Sequence, residues 1–158
     1  GGSVFGRFGF SDVLTLLLVM DSYVELYKGG IVPLANFVNM PYDRDILVRV
    51  IVKKTAAHYS YKSVRISKTD FPVLTCAAAL TQEGVQAAVG ARPAKAALVK
   101  DAEQLATLPM TAEKAQAFAE YAAGLLPTET NPRGSAAYRT HLIKVLTARC
   151  LTELGGKA

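Results

Sequence analysis

Apolar and polar positions change their period twice along this chain, and each change marks a new kind of element. Val13 to Met20 is almost wholly apolar and follows Ser11-Asp12, a pair suited to capping a helix, so a short helix is predicted over 12–20. Ser22 to Tyr27 alternates, with Val24 and Leu26 on one face and Tyr23, Glu25 and Tyr27 on the other, the pattern of a half-buried strand. Gly29-Gly30 then reads as a hairpin turn, and Ile31 to Leu34 as the returning strand. Residues 35–44 are predicted as a short helical turn and loop. Ile46 to Lys53 alternates again, Ile46, Val48, Val50 and Val52 opposing Leu47, Arg49 and Ile51.

Thr55 to His58 is a connector and the one clear place for a boundary. Beyond it, Tyr59 to Ile66 is extended, Thr69-Asp70-Phe71-Pro72 turns, and Val73–Thr81 pairs with Val85–Gly90 across Gln82-Glu83-Gly84. Ala96 to Val99 is a further short strand. From Asp101 the period becomes helical, and helices are predicted at about 101–107, 111–125 and 134–154. Thr111 is placed to cap the second, although Lys114 stands where a capping box would carry Glu. In the last, Tyr138, Leu142, Val145, Leu146 and Cys150 make the apolar stripe, Arg139, Lys144 and Glu153 lie outside it, and Gly155-Gly156 ends it. Strands followed by helices predict an α+β fold, an antiparallel sheet with helices on one face.

A chain of 158 residues that is 51% hydrophobic and 20% charged can build one ordinary core or two small ones, and is not disordered. Its longest apolar run is far shorter than the ~20 residues of a membrane span, and polar flanks make it a poor signal peptide. Cys76 and Cys150 stand outside any Cys-x-x-Cys or Cys/His cluster, so no metal site is indicated and buried free thiols in a cytoplasmic protein are expected. His58 and His141 have no Ser or Cys partner at a recognisable spacing, and His141 is expected to be partly buried.

Charge adds one alternative. The net charge is +5, and Arg49, Lys53, Lys54, Lys62, Arg65 and Lys68 fall in a stretch without a single acid. Such a stretch is a solvated face or a basic hairpin that docks an acidic partner or a nucleic acid. Nucleic acid is the weaker candidate, because no glycine-aromatic RNA-binding consensus accompanies it.

Candidate chemistry concentrates at the start, Gly1-Gly2-Ser3-Val4-Phe5-Gly6-Arg7-Phe8-Gly9-Phe10-Ser11-Asp12. Four glycines leave backbone amides uncovered, so a flat or anionic ligand can approach the main chain. Gly-Gly-Ser is also a common cloning scar. Asp12 can be read simply as part of a helix cap.

Three ordered segments carry a family resemblance: the Gly-Gly-Ser…Ser-Asp loop; Tyr61-Lys62-Ser63-Val64-Arg65 with Asp70-Phe71-Pro72-Val73-Leu74; and Asn131-Pro132-Arg133-Gly134-Ser135-Ala136-Ala137-Tyr138-Arg139. Val19–Leu26 and Ile46–Val52 fit the same pattern. Together they resemble the FAD-binding subunit of molybdenum hydroxylases, the xanthine dehydrogenase and carbon monoxide dehydrogenase group. The resemblance implies that residues 1–54 are the second part of a flavin domain. It implies that residues 55–158 are the family's C-terminal domain, a three-stranded antiparallel sheet packed on about three helices.

The same resemblance implies an oxidoreductase subunit that passes electrons from [2Fe-2S] clusters through FAD to NAD or another acceptor, with molybdopterin and [2Fe-2S] on partner subunits. The family's N-terminal lobe, which cradles the FAD pyrophosphate, has no counterpart here, so a lost segment or a separate polypeptide is expected to supply it. Gly1, Gly2 and Ser3 match the loop against the cofactor, Asp12 the acid beside the flavin, Leu47 an apolar residue packed on the ring, and Lys62 a lysine near it. Read without the family, Leu47 is a core leucine and Lys62 a solvated strand lysine. Arg133, Tyr138 and Arg139 belong to the last-helix motif and are expected to be structural, with Tyr138 packed inward and Arg139 reaching a loop or partner.

Overall fold

A computed structural model describes residues 1–156. The first part of the chain forms α1 (Gly2–Phe5), α2 (Asp12–Leu18), β1 (Ser22–Leu26), β2 (Gly30–Pro33), α3 (Leu34–Phe37) and β3 (Leu47–Val52). Ser11 caps α2 as predicted, its hydroxyl accepting from the Leu14 amide at 3.2 Å. The three strands pair antiparallel in the order β2-β1-β3. Gly30 adopts φ +68° at the hairpin, where a side chain would be strained.

The second part forms β4 (His58–Val64), β5 (Leu74–Thr81), β6 (Gly84–Gly90) and β7 (Ala97–Lys100), then α4 (Ala112–Leu125) and α5 (Ala136–Gly155). The four strands form an antiparallel meander in sequential order. The α+β class and the antiparallel sheet on helices are as read from the sequence. The sheet has four strands, not three, because Tyr59–Val64 pairs along its whole length with β5.

Both faces of this sheet are covered, and side-chain size decides by what. Leu74, Cys76, Ala78, Val85, Ala87 and Val89 face α4 and α5, whose Phe118, Leu142, Ile143, Leu146 and Leu151 fill one core. Ala77, Ala79 and Ala88 point the other way, and their small side chains admit Leu14 and Leu18 of α2 and Phe37 of α3 to a second core. Buried on both sides, β5 therefore reads as a continuous apolar run, LTCAAALT, without clean alternation.

Four further expectations are corrected. Residues 101–107 form no helix: the Asp101 carboxylate takes the amides of Leu105 and Ala106 at 2.9 and 2.7 Å, and Gln104 sits at φ +56°. A side chain that captures nearby amides competes with the helical ladder. In β3 a register shift opposite Glu25 and Leu26 breaks the simple alternation, so Leu47 and Val50 both turn to the second core. In α5 the inward residue is Arg139, 1% exposed, while Tyr138 is 45% exposed. His141 is exposed rather than partly buried.

Candidate functional site: an aromatic and arginine cleft at the glycine loop

The opening segment is seated against the end of the four-stranded sheet where its inner strand β6 leaves it. A Cβ on Gly9 would lie 2.1 Å from the carbonyl oxygen of Ala94, and one on Gly90 would lie 2.4 Å from Thr15 Oγ1. The two glycines are what let the loop and the sheet touch backbone to backbone. Thr15 and Thr75 hydroxyls bond at 2.9 Å beneath the contact. Gly1 and Gly2 are open by contrast, since a Cβ on either meets nothing within 4 Å. The Ser11 hydroxyl donates to that of Ser3 at 3.0 Å, fixing the loop to its cap.

Four connections then meet around a cleft of about 500 Å³: Arg7–Phe10, Phe71-Pro72, Ala91–Lys95 and Asn131–Arg133. Phe8 stacks on Phe10 with ring centroids 5.2 Å apart, and Phe10 tilts against Phe71 at 4.6 Å. All three rings are substantially exposed, an unusual expenditure of apolar area on a surface. The Arg133 guanidinium lies 5.3 Å from the Phe71 ring centroid and pairs with Asp70 at 3.2 Å. Its Nε is buried without a hydrogen-bond partner, as is Nη2 of Arg7. Arg7 itself is 2% exposed, with Nε donating to the Phe37 carbonyl at 2.9 Å and the guanidinium 3.9 Å from the Phe37 ring centroid. Flat apolar faces beside guanidinium groups suit a planar ligand with anionic substituents.

Arg139 holds one wall of this cleft. Its guanidinium donates to the carbonyls of Val73 at 3.0 Å, Glu129 at 2.7 Å and Gly134, and to Asn131 Oδ1 at 2.6 Å. Those acceptors explain why the charged residue, and not its tyrosine neighbour, turns inward: a loop with converging carbonyls satisfies a guanidinium but not an apolar ring. The Asn131 side chain also accepts from the Arg133 amide at 2.9 Å, so the buried arginine and the cleft arginine share one loop.

Asp12 lies at the first turn of α2, its carboxylate bonded by the Tyr61 hydroxyl and ion-paired with Arg65. Burial, then the hydrogen bond to Asp12, push the Tyr61 phenol above its ordinary range. Lys62 points the other way. Successive residues of a strand face opposite sides, and Lys62 Nζ reaches Glu153 of α5 at 2.8 Å, beside Ser60 at 2.9 Å. Asp12 and Lys62 therefore do not line a common hollow. Leu47 packs on the second core from β3 and lines neither that cleft nor the larger cavity described below. Ser3 is tied to Ser11, the residue before Asp12, but Gly1, Gly2, Ser3 and Asp12 line neither cavity, and Leu47 and Lys62 lie apart from them.

Phe8, Phe10, Phe71 and Arg7 were not singled out by sequence reasoning. The available signal was three phenylalanines in glycine- and proline-bearing turns, where a core aromatic is out of place.

The basic stretch proves largely neutralised. Arg49 pairs with Glu25, Lys53 with Asp21, Lys62 with Glu153 and Arg65 with Asp12, leaving Lys54 and Lys68 without an ion pair among the described residues. No helix among the described residues is long and apolar enough to cross a membrane.

Fold and cleft thus define a protein in which a glycine-rich loop is clamped onto a C-terminal α+β domain. Residues 59–154 match the CO dehydrogenase flavoprotein C-terminal domain, and the chain belongs to that family. The whole chain superposes on one chain of quinoline 2-oxidoreductase from Pseudomonas putida 86 with a TM-score of 0.80 at 21% identity, covering 60% of it. It superposes on carbon monoxide dehydrogenase from Hydrogenophaga pseudoflava with a TM-score of 0.85 at 19% identity, covering 61%. Reconstituted CO dehydrogenase from Oligotropha carboxidovorans gives 0.80 at 20% identity and 61%. The chain spans about 60% of the length of these solved chains. No curated protein matches its sequence.

Proposed function

We propose that this chain is the flavin-edge and C-terminal portion of the FAD subunit of a cytoplasmic molybdenum hydroxylase. Residues 1–54 are the second part of the flavin domain and residues 55–158 its C-terminal domain. The observation that carries the reading is the clamp between Gly9 and the β6 end of the matched domain, which seats the glycine-rich loop at an aromatic and cationic cleft.

The residues present fit a flavin nucleotide. Gly1 and Gly2 leave backbone accessible, Ser3 offers a hydroxyl, and Asp12 offers a carboxylate held in place by Tyr61 and Arg65. Bound there, FAD supplies electron transfer between the [2Fe-2S] clusters and the final acceptor. The chain's own part is positioning. Asp12 would accept hydrogen bonds at the polar edge of a ring, and its bonds with Tyr61 and Arg65 hold the carboxylate oriented. Phe8, Phe10 and Phe71 with Arg133 receive a flat, anionic acceptor such as NAD. An N-terminal FAD lobe, a molybdopterin subunit and a [2Fe-2S] subunit complete the assembly.

Co-expression with a polypeptide carrying the N-terminal FAD lobe tests this directly. A complex that retains FAD through gel filtration, and loses at least tenfold in FAD affinity on Asp12→Ala, is the expected result. A colourless complex, or FAD retention indifferent to Asp12→Ala, overturns it.

A further inference from the structure

The aromatic cleft is lined by Arg7, Lys95, Asn131 and Arg133 and by no acid. The bonds these residues already make decide which of their polar atoms stay open. Asn131 Oδ1 accepts from the Arg133 amide at 2.9 Å and from Arg139 Nη2 at 2.6 Å. Two donors on one atom fix the orientation of the side-chain amide, so the end left over is the Nδ2 donor. It has no hydrogen-bond partner among the described residues and, unlike Arg133 Nε, is not buried.

Arg133 commits Nη2 to Asp70 at 3.2 Å, which leaves Nη1 open. Lys95 is exposed and has no ion pair among the described residues. Arg7 adds charge rather than contact, because its unpaired Nη2 is buried. The open polar side-chain atoms of the cleft are therefore all donors: an amide, a guanidinium and an ammonium. A larger cavity, of about 730 Å³ along the seam between the two sheets, differs in this respect: its Lys53 and Lys100 pair with Asp21 and Glu83, which share its lining.

We infer that Asn131 Nδ2, Lys95 Nζ and Arg133 Nη1 form an anion subsite for the diphosphate of a planar ligand lying on Phe8, Phe10 and Phe71, with Asn131 the specificity-determining residue. The inference rests on the proposal that this cleft receives a flat, anionic acceptor, and not on the FAD assignment. Three donors from two loops suit the many acceptor oxygens of a diphosphate better than the two of a carboxylate. Lys95 supplies a mobile point charge and Arg133 a planar fork. Asn131 sets position, since Arg139 and the Arg133 amide hold its side chain in one orientation.

Calorimetric titration of ADP and of adenosine into the full chain isolates the subsite, because the two share a ring system and differ by the diphosphate. ADP is expected to bind at least tenfold tighter than adenosine, and to weaken as salt rises. Asn131→Asp keeps an oxygen for Arg139 and the Arg133 amide but replaces the donor with a second acceptor. It should weaken ADP at least tenfold, leave adenosine within twofold, and melt no lower than the parent. Should it melt lower, Lys95→Ala decides, at an exposed position, with at least a threefold loss of ADP affinity expected. Lys54→Ala, on the larger cavity, should leave ADP unchanged. ADP that is not saturable, binds no tighter than adenosine, is indifferent to Asn131→Asp in a stable variant or to Lys95→Ala, or is lost with Lys54→Ala overturns the inference. FAD retention and its response to Asp12→Ala are read separately in the co-expressed complex, so failure of the subsite is told apart from failure of the flavoprotein reading.

Discussion

The amide of Ala91 donates to the carbonyl of Gly9, and this bond is possible only because neither Gly9 nor Gly90 carries a side chain. A Cβ on Gly90 would stand 2.6 Å from that same carbonyl, 2.4 Å from Thr15 Oγ1 and 2.5 Å from Thr75 Oγ1. The loop of the first part and the sheet of the second are thus joined at contact distance. Gly90→Ala is expected to destabilise the chain by about 3 kcal/mol, the upper part of the overpacking range, because the obstacles include rigid backbone. Urea unfolding measures this, and a variant as stable as the parent would show that the loop can lift away without loss.

Arg139 governs the opposite wall of the cleft. Its removal leaves the carbonyls of Val73, Glu129 and Gly134 without their donor and opens a void beneath the loop. Arg139→Leu is expected to cost roughly 3–5 kcal/mol. Arg139→Lys should recover little, since an ammonium cannot reach four acceptors that diverge around a planar fork. Thermal denaturation of both variants checks the order.

Asp45 ties the β1–β2 hairpin to the start of β3. Its carboxylate accepts from the amides of Lys28 at 2.9 Å, Gly29 at 2.8 Å and Ile46 at 2.8 Å. Burial works to raise its pKa, but the backbone donors outweigh it and hold the carboxyl below the usual 3.8. A group depressed on folding stabilises above its unfolded value, and that contribution disappears as pH falls through the folded value. Protection of the Lys28 and Gly29 amides, measured against their intrinsic exchange rates, should therefore be full at neutral pH and be lost only below pH 3.8. Asp45→Asn should lower that protection and remove its dependence on pH in this range.

Cys76 of β5 and Cys150 of α5 lie together in the core between sheet and helix, both buried and free. The hydrogen bond with Cys150 and burial push the Cys76 thiol above its ordinary range. Neither thiol should react with an aromatic disulfide reagent in the native chain, and both should react at the rate of unfolding. Fast reaction of either in native buffer would contradict this packing.

Cap, turn and strand positions were legible in the residues themselves. Ser11 caps α2 and Thr111 caps α4 with side-chain bonds to the amides three residues on, and the Gly29-Gly30 hairpin forms where the glycines stand. These are local decisions, made by groups a few atoms apart along the chain. The two-sided burial of β5 was also written in its unbroken apolar run.

The cleft and the orientation of α5 were decided only in three dimensions. Arg139 turns inward because a distant carbonyl, that of Val73, and the loop before α5 together supply acceptors, and no periodicity along one helix encodes that. Lys62 and Asp12 are parted by a strand's two faces, which proximity to a shared motif does not reveal. Phe8, Phe10 and Phe71 meet because Gly9 and Gly90 let separate segments approach to contact. Local chemistry set the elements of this protein, whereas the pairing of groups far apart in the chain, each able to satisfy the other only after folding, set its site.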